Sequence, residues 1–213
     1  MIELLNIDCM EYMKGCKDND FDLAIVDPPY GIGINDQFLK ATKSKTSMFN
    51  QTKGCLNSGE WDNAIPPKEY FNELFRVSKN QIIWGGNYFI EHLYNTRCFL
   101  SWDKNNGDNN MADFELAWTS FDKSCRRFVM HHFSHGYGTK IHICQKPVKL
   151  YEWLLTNYAE KGQRILDTHL GSGSSAIAAH YFGVDFVGCE LDKDYFEAAK
   201  ERFDRETRQE AMF

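Results

Sequence analysis

Residues 164–192 read "RILDTHLGSGSSAIAAHYFGVDFVGCELD", and the fold turns on them. A short apolar run ends at Asp167, the turn Gly171-Ser172-Gly173 follows, a helix of small residues opens, and a second apolar run ends at Glu190. This is the pattern of a βαβ unit of the nucleotide-binding kind. Its glycines let the backbone approach a ligand closely, and a carboxylate closing the second strand can accept both hydroxyls of a ribose. Glycine at such a turn is often only a close-packing device; the acid downstream, at the right spacing, favours a ligand. Gly171, Gly173 and Ala176 also satisfy G-x-G-x-x-A, the fingerprint of NAD- and FAD-dependent enzymes. Position tells against that class. A dinucleotide fold begins with such a unit and adds βα units after it, whereas only residues 191–213 follow Glu190. The other strands are expected to precede the unit, in a circularly permuted order.

Upstream, strand-like runs stand at "IELLNI", "FDLAIVD", "NQIIWGG", "RCFLSWD", "FELAWTSF" and "RRFVMHHF". Helical patterns alternate with several of them: "PPKEYFNELFRVS" and "PVKLYEWLLTNYAEKG" open on proline, "SSAIAAHYFG" ends on glycine, and "DKDYFEAAKERFDRETRQE" closes the chain. The alternation predicts an α/β fold, a mostly parallel sheet of seven or eight strands with helices on both faces. At 213 residues and 43% hydrophobic content the chain can bury one substantial core, so a single domain over residues 1–213 is expected. Negative mean hydropathy, the lack of any apolar run near twenty residues and an opening without signal-peptide layout predict a soluble, cytoplasmic protein with no membrane partner.

Seven cysteines, scattered and without a Cys-x-x-Cys pair, suit reduced thiols. "HHFSHGYGTKIHIC" gathers His131, His132, His135, His142 and Cys144. On a strand His131 and His132 point to opposite faces, and no other segment offers a second ligand pair, so no metal is expected.

The other decisive stretch is "LAIVDPPYGIG", residues 23–33. Four apolar residues of a buried strand run into an aspartate, two prolines and a tyrosine. Pro28 and Pro29 give up two backbone donors and fix two φ angles, so the chain leaves the strand along a rigid path that holds Asp27 and Tyr30 still. An ordinary tight turn would use the same residue types, but a turn alone does not require the nucleotide unit that accompanies this one.

Taken with the late glycine loop, Asp27-Pro28-Pro29-Tyr30 makes the chain resemble the S-adenosylmethionine-dependent amino-methyltransferases of nucleic acid. Within them it is similar to the class whose D-P-P-Y segment precedes the cofactor loop. "QKPVKLYEWLL" running into "ILDTHLGSGSSAIAA", and "GCELDKDYF", extend the resemblance over nearly the whole chain. It implies that Asp27, Pro28, Pro29 and Tyr30 are the catalytic segment and that Asp167, Gly171, Ser172 and Gly173 form the cofactor loop. It further implies that Glu190 holds the ribose, that Asp8 meets the adenine of the cofactor, and that Gln145, Lys146 and Pro147 border its methionine end. A catalytic half of about 1–143 and a cofactor half of about 144–213, with the Asp8 region contributing, follow from it. Two departures stand out. Thr168-His169 occupy the place of the usual Pro-Phe, and no large target-recognition domain is present.

The chemistry suits these residues. The exocyclic amine of adenine or cytosine is a poor nucleophile because its lone pair is delocalised into the ring. Asp27 can accept one N–H and the Pro28 carbonyl the other, which favours a tetrahedral nitrogen. Tyr30 would stack on the base, and a base inside a duplex must be flipped out to arrive there. The implied partner is DNA, as a duplex with a flipped base; a homodimer is compatible with the reading. In the family an aspartate at the first of the four positions usually accompanies the N6 amine of adenine, a serine the N4 amine of cytosine, so adenine is expected. Methylation of cytosine, of RNA or of a protein amide, and a catalytically silent module, are the rival readings.

The net charge of −6 conceals a segregation of charge. Gln37 to Gly59 holds Lys40, Lys43, Lys45 and Lys53 and no acid, and Lys123 to Tyr151 holds six Lys or Arg and no acid. Both windows are expected to flank the crevice and meet phosphate. Trp84 and Asn87 are weaker candidates for flanking the cofactor or base, and Tyr195 and Phe196 read as the apolar face of a helix.

Overall fold

The computed structural model describes residues 1–33, 62–107, 112–131, 141, 142 and 144–208. Lys40, Lys43, Lys45, Lys53, His132 and His135 lie outside them. In chain order the elements are β1 (Ile2–Asn6), α1 (Cys9–Gly15), β2 (Phe21–Val26), α2 (Lys68–Val77), β3 (Ser78–Trp84), β4 (Phe99–Asp103), β5 (Phe114–Thr119) and β6 (Arg126–Val129). They continue with α3 (Val148–Tyr158), β7 (Arg164–Asp167), α4 (Ser174–Phe182), β8 (Asp185–Glu190) and α5 (Lys193–Thr207). The eight strands form one sheet in the order β1-β8-β7-β2-β3-β5-β4-β6. It is parallel except where β5 runs back between β3 and β4.

The central strands read as continuous apolar runs because both faces are covered. Along β2, Leu23 and Ile25 join the core beneath α3, α4 and α5, which supply Leu150, Leu154, Ala176 and Ala199. Ala24 and Val26 alternate to the opposite face and pack with Met13 of α1 and with Tyr70, Phe71, Leu74 and Val77 of α2. Helices thus lie on both faces of the sheet.

Local signals set the helix boundaries. Pro67 and Pro147 occupy the N-cap positions of α2 and α3, where a missing N–H costs nothing. Asp192 caps α5, its Oδ1 accepting the N–H groups of Asp194 and Tyr195. Helix α4 ends at Gly183, whose φ of +83° continues no helix.

Three expectations change. "RRFVMHHF" is a strand only over Arg126–Val129, so His131 lies beyond its end. Helix α3 stops at Tyr158, short of Gly162, which sits in a separate turn with φ +83°. The first helix, α1, arises from a segment whose pattern is too short to register: Asp8 caps it by accepting the Met10 N–H at 2.7 Å.

Candidate active site at the carboxyl ends of the strands

Strands β2 and β7 are parallel neighbours, with Ala24 opposite Leu166, so Asp27 and Asp167 emerge at the same edge of the sheet. Ligands of open α/β sheets bind at that edge. The Tyr30 hydroxyl turns back and donates to Asp27 Oδ1 at 2.6 Å. Asp62, only 3% exposed, fixes the turn from outside: its Oδ1 accepts the N–H groups of Tyr30 and Gly31 at 2.8 and 3.0 Å. The Tyr30 ring is stacked on Tyr88, with centroids 5.0 Å apart and planes 15° from parallel, and Phe89 meets it edge-on at 6.1 Å. Gly85 makes this possible. It has φ +71°, and a Cβ there would fall 2.2 Å from the Tyr30 ring.

Lys146 enters the same space. Its side chain is 3% exposed, and its ammonium donates to Asp27 Oδ2 and, at 3.2 Å, to the Tyr30 hydroxyl. Glu115 Oε2 lies 3.0 Å from that ammonium, an ion contact outside hydrogen-bond alignment, while Glu115 Oε1 meets Lys104 at 2.8 Å. Two carboxylates and two ammonium groups therefore balance in one cluster. Burial pushes the Asp27 carboxyl above its ordinary range, against the pull of Lys146. Burial also works against the Glu115 carboxylate, but Lys146 and Lys104 together bring it down to about 2. Lys146 stays above the ordinary lysine value because Asp27 and Glu115 outweigh its own desolvation. Trp84 is fully buried in the core, its ring 5.4 Å from the same ammonium, and its indole N–H has no partner among the described residues. Asn87 is exposed.

The glycine loop lies beside this cluster. Asp167 Oδ2 accepts from the Ser175 hydroxyl at 2.6 Å and Oδ1 from the His169 N–H at 3.0 Å; burial raises its carboxyl to about 7. Glu190 Oε2 accepts the Gly171 N–H at 2.8 Å and Oε1 the Asp192 N–H at 3.0 Å, and burial raises this carboxyl too. The two glycines serve different ends. A Cβ on Gly171 would meet nothing nearer than 3.8 Å, whereas one on Gly173 would press on the Ala199 carbonyl at 3.3 Å. Arg202 of α5, 7% exposed, secures the loop from behind by donating to the Ser172 carbonyl and the Ser174 hydroxyl at 2.9 Å. Asp8 stands just past β1, whose neighbour is β8, and the Ile7 N–H bonds the Glu190 carbonyl at 3.1 Å.

In place of Pro-Phe, Thr168 and His169 form a chain with Tyr70: Tyr70 Oη to Thr168 Oγ1 at 2.7 Å, then Thr168 Oγ1 to His169 Nδ1 at 2.9 Å. Burial lowers His169 to about 4, and His142, which lies against Tyr195 with ring centroids 4.5 Å apart, to about 4 as well. Tyr195 is buried, as its place on the apolar face of a helix requires. Among the described residues no three His, Cys, Asp or Glu side chains gather as metal ligands would.

All the singled-out residues thus converge on one edge, but in two groups. Asp27, Pro28, Pro29, Tyr30 and Lys146 form one; Asp8, Asp167, Gly171, Ser172, Gly173 and Glu190 form the other. Lys146, expected beside the cofactor loop, has its ammonium on Asp27. It is also no surface charge, so it drops out of the basic window, in which Arg126 and Arg127 are exposed on edge strand β6. Glu115, Asp62, Tyr88 and Arg202 escaped the sequence reading. Only Glu115 left a signal there: it shares a strand face with Ala117 and Thr119, both fully buried, where an acid is out of place.

The donor set fits S-adenosylmethionine. Each Glu190 oxygen spends one acceptor position on a backbone N–H and keeps another for a ribose hydroxyl, and the backbone at Gly171 is open to close approach.

Residues 83–201 match the family model described as DNA methylase, of the N6/N4 methyltransferase type. The type II methyltransferase M.HpaI of Haemophilus parainfluenzae is 25% identical over 248 residues, covering 95% of this chain and 74% of the relative. The putative methylase YubD of Escherichia coli is 24% identical, over 95% of this chain and 90% of its own. Among solved structures, the M1.HpyAVI–SAM complex superposes with a TM-score of 0.64 at 21% identity, covering 96% of this chain and all of that one. The PvuII cytosine-N4-specific DNA methyltransferase superposes with a TM-score of 0.61 at 13% identity, covering 97% of this chain and 90% of the other. Both share the fold.

Proposed function

The chain belongs to the DNA methylase family of the N6-adenine and N4-cytosine type, whose methyl donor is S-adenosylmethionine, and on that premise we propose that it methylates the N6 amine of adenine in duplex DNA, acting on a base flipped out of the helix. The observation that carries the reading is the Asp27–Tyr30 unit, closed by its own 2.6 Å hydrogen bond and seated one strand away from the glycine loop.

In this reading residues 144–213 hold the cofactor, with Asp8 reaching across from residues 1–143. Glu190 takes the ribose hydroxyls, Asp8 the adenine end, and Asp167 with Gly171, Ser172 and Gly173 shapes the loop beneath. S-adenosylmethionine supplies an electrophilic methyl group on a sulfonium. Asp27 supplies the complementary acceptor. A carboxylate offers about four acceptor positions; Tyr30 and Lys146 use one on each oxygen, and one on each remains for an amine N–H. The Pro28 carbonyl, held by a ring on either side of it, takes the second N–H, so the nitrogen lone pair is freed from the aromatic ring. Tyr30 offers a planar surface for the base, which recovers part of the stacking lost on leaving the duplex. Arg126 and Arg127, exposed on β6, supply charge for phosphate contact.

Adenine is assigned from Asp27 at the head of the segment. The test is direct. DNA from a methylation-deficient bacterial strain is treated with the protein and S-adenosylmethionine, digested to nucleosides and resolved by mass spectrometry. N6-methyladenosine is the expected product, and N4-methylcytidine as the main product would overturn the assignment.

A further inference from the structure

Asp27 sits in a place where a carboxylate should not remain ionised. Its side chain is 18% exposed, and the Glu115 carboxylate, 23% exposed, lies in the same cluster. Removing charges from water costs several kcal/mol each unless they are paired well, and two acids sharing a site compete for one proton. The pairing is supplied by one side chain. Lys146 stands between the two acids, its ammonium bonded to Asp27 Oδ2 and 3.0 Å from Glu115 Oε2, while Lys104 takes the other Glu115 oxygen at 2.8 Å. Neither Glu115 nor Lys104 is within the D-P-P-Y turn or the glycine loop. They arrive because β5 runs antiparallel to β3 and β4, which brings the start of β5 and the end of β4 to the sheet edge where β2 ends.

We infer that Lys146, gripped by Glu115, is a positioning residue for Asp27: it holds the Asp27 carboxylate ionised and turned toward the target amine, rather than serving as a ligand of the cofactor. The inference rests on the proposed role of Asp27 in accepting the amine. With Lys146 in place the cluster of Lys104, Glu115, Lys146 and Asp27 is neutral as a whole. Without it, two buried acids face one lysine and Asp27 takes up a proton.

The other titratable groups around the cluster do not mimic this behaviour. Tyr30 on the turn, Tyr70 on α2 and Tyr151 on α3 are pushed up by burial and stay protonated through the working range. The Cys144 thiol is likewise held protonated, and His142, lowered to about 4, stays neutral. Asp167 on β7 titrates near 7, but it does so in every variant, so differences between variants belong to the cluster.

The experiment measures kcat against pH from 5 to 9 for the full chain, with DNA from a methylation-deficient strain and S-adenosylmethionine, alongside cofactor Kd by calorimetry. Lys146→Met is expected to move the acid limb of kcat upward by about one pH unit or more. At pH 7 its kcat should fall at least about tenfold, a loss of ~1.4 kcal/mol, while cofactor Kd stays within about threefold. Glu115→Gln is expected to move the limb the opposite way, downward, because it removes a negative charge near Asp27. The double variant should fall between the two. A purely structural role predicts no such opposed pair. Superimposable limbs overturn the inference, as does a cofactor Kd raised about tenfold in Lys146→Met with its limb unmoved. If Lys146→Met does not fold, Glu115→Gln against the parent decides: a limb that moves down supports the inference and a stationary one overturns it. Asp27→Asn separates the two readings. Activity within a few-fold of the parent would remove the role of Asp27 itself, whereas loss of activity with unmoved limbs would remove only that of Lys146.

Discussion

Replacing Gly85 with alanine tests whether Tyr30 is as tightly held as its surroundings imply. Two costs arise. The residue has φ +71°, a left-handed conformation that costs an L side chain ~1–2 kcal/mol. The new methyl would also stand 2.2 Å from Tyr30 Cε1 and 2.5 Å from Cδ1, an overlap that costs ~1–3 kcal/mol to relieve. The ring cannot move freely, since its hydroxyl is bonded to Asp27, its face lies on Tyr88 and its backbone N–H is held by Asp62. The control is Gly183→Ala, at φ +83° with nothing within 4 Å of the new methyl, which incurs the first cost alone. In urea denaturation Gly85→Ala should lose ~2–5 kcal/mol and Gly183→Ala ~1–2 kcal/mol. Because relief of the overlap pulls the Tyr30 hydroxyl from Asp27, kcat of Gly85→Ala should fall about tenfold or more with cofactor Kd little changed. Equal stability of the two variants, or kcat of Gly85→Ala within twofold of the parent, would refute this account of the aromatic turn.

Further outcomes follow from the same geometry. Asp27→Asn should abolish methyl transfer and leave calorimetric cofactor affinity nearly intact, since the glycine loop does not contact it. Glu190→Ala should weaken S-adenosylmethionine by ~1–3 kcal/mol, because it deletes an acceptor that also holds the Gly171 N–H, and neither form should bind NADH in the same titration. His169, lowered by burial from 6.5 to about 4, contributes stability that is complete above 6.5 and lost as pH falls toward 4. Asp167, raised from 3.8 to about 7, works the other way over its own interval. His169→Phe should therefore gain stability relative to the parent as pH drops from 6.5 to 4, read from urea midpoints. Neutralising Arg126 and Arg127 together should flatten the salt dependence of DNA binding by about two contacts, measured by fluorescence anisotropy at several salt concentrations.

Much of this was legible in the residues. The apolar alternation located all eight strands within a residue or two, because central strands covered on both faces leave long hydrophobic runs. Asp27, Tyr30, Asp167 and Glu190 could be placed at one edge before any coordinates, since each ends an apolar run. What stayed hidden depends on register. Glu115 reaches the site only because β5 turns antiparallel, and no local pattern states which strands lie side by side. Lys146 could be put near the crevice but not on Asp27, because a lysine carries four carbons of reach and its partner is chosen in three dimensions. Asp62 acts through a side chain accepting backbone N–H groups far away in sequence, a bond that leaves no periodicity. Helix α1 is too brief for a pattern, and its one signal was the cap Asp8, a residue read for another purpose.

The contact between Tyr30 and Tyr88 bears on how recognition is paid for. Tyr88 is 42% exposed, yet its ring covers a face of Tyr30 that would otherwise be wet. A planar guest arriving on that face does not meet bare aromatic carbon; it trades places with a tyrosine. The stacking energy gained by the guest is then largely cancelled by the stacking forfeited between the two side chains, and the free protein is spared a sticky patch. Such an exchange leaves little affinity to be won from flatness alone, since every nucleobase could replace one phenol ring about equally well. Discrimination must come from the edges of the incoming ring, where Asp27 and the Pro28 carbonyl count hydrogens.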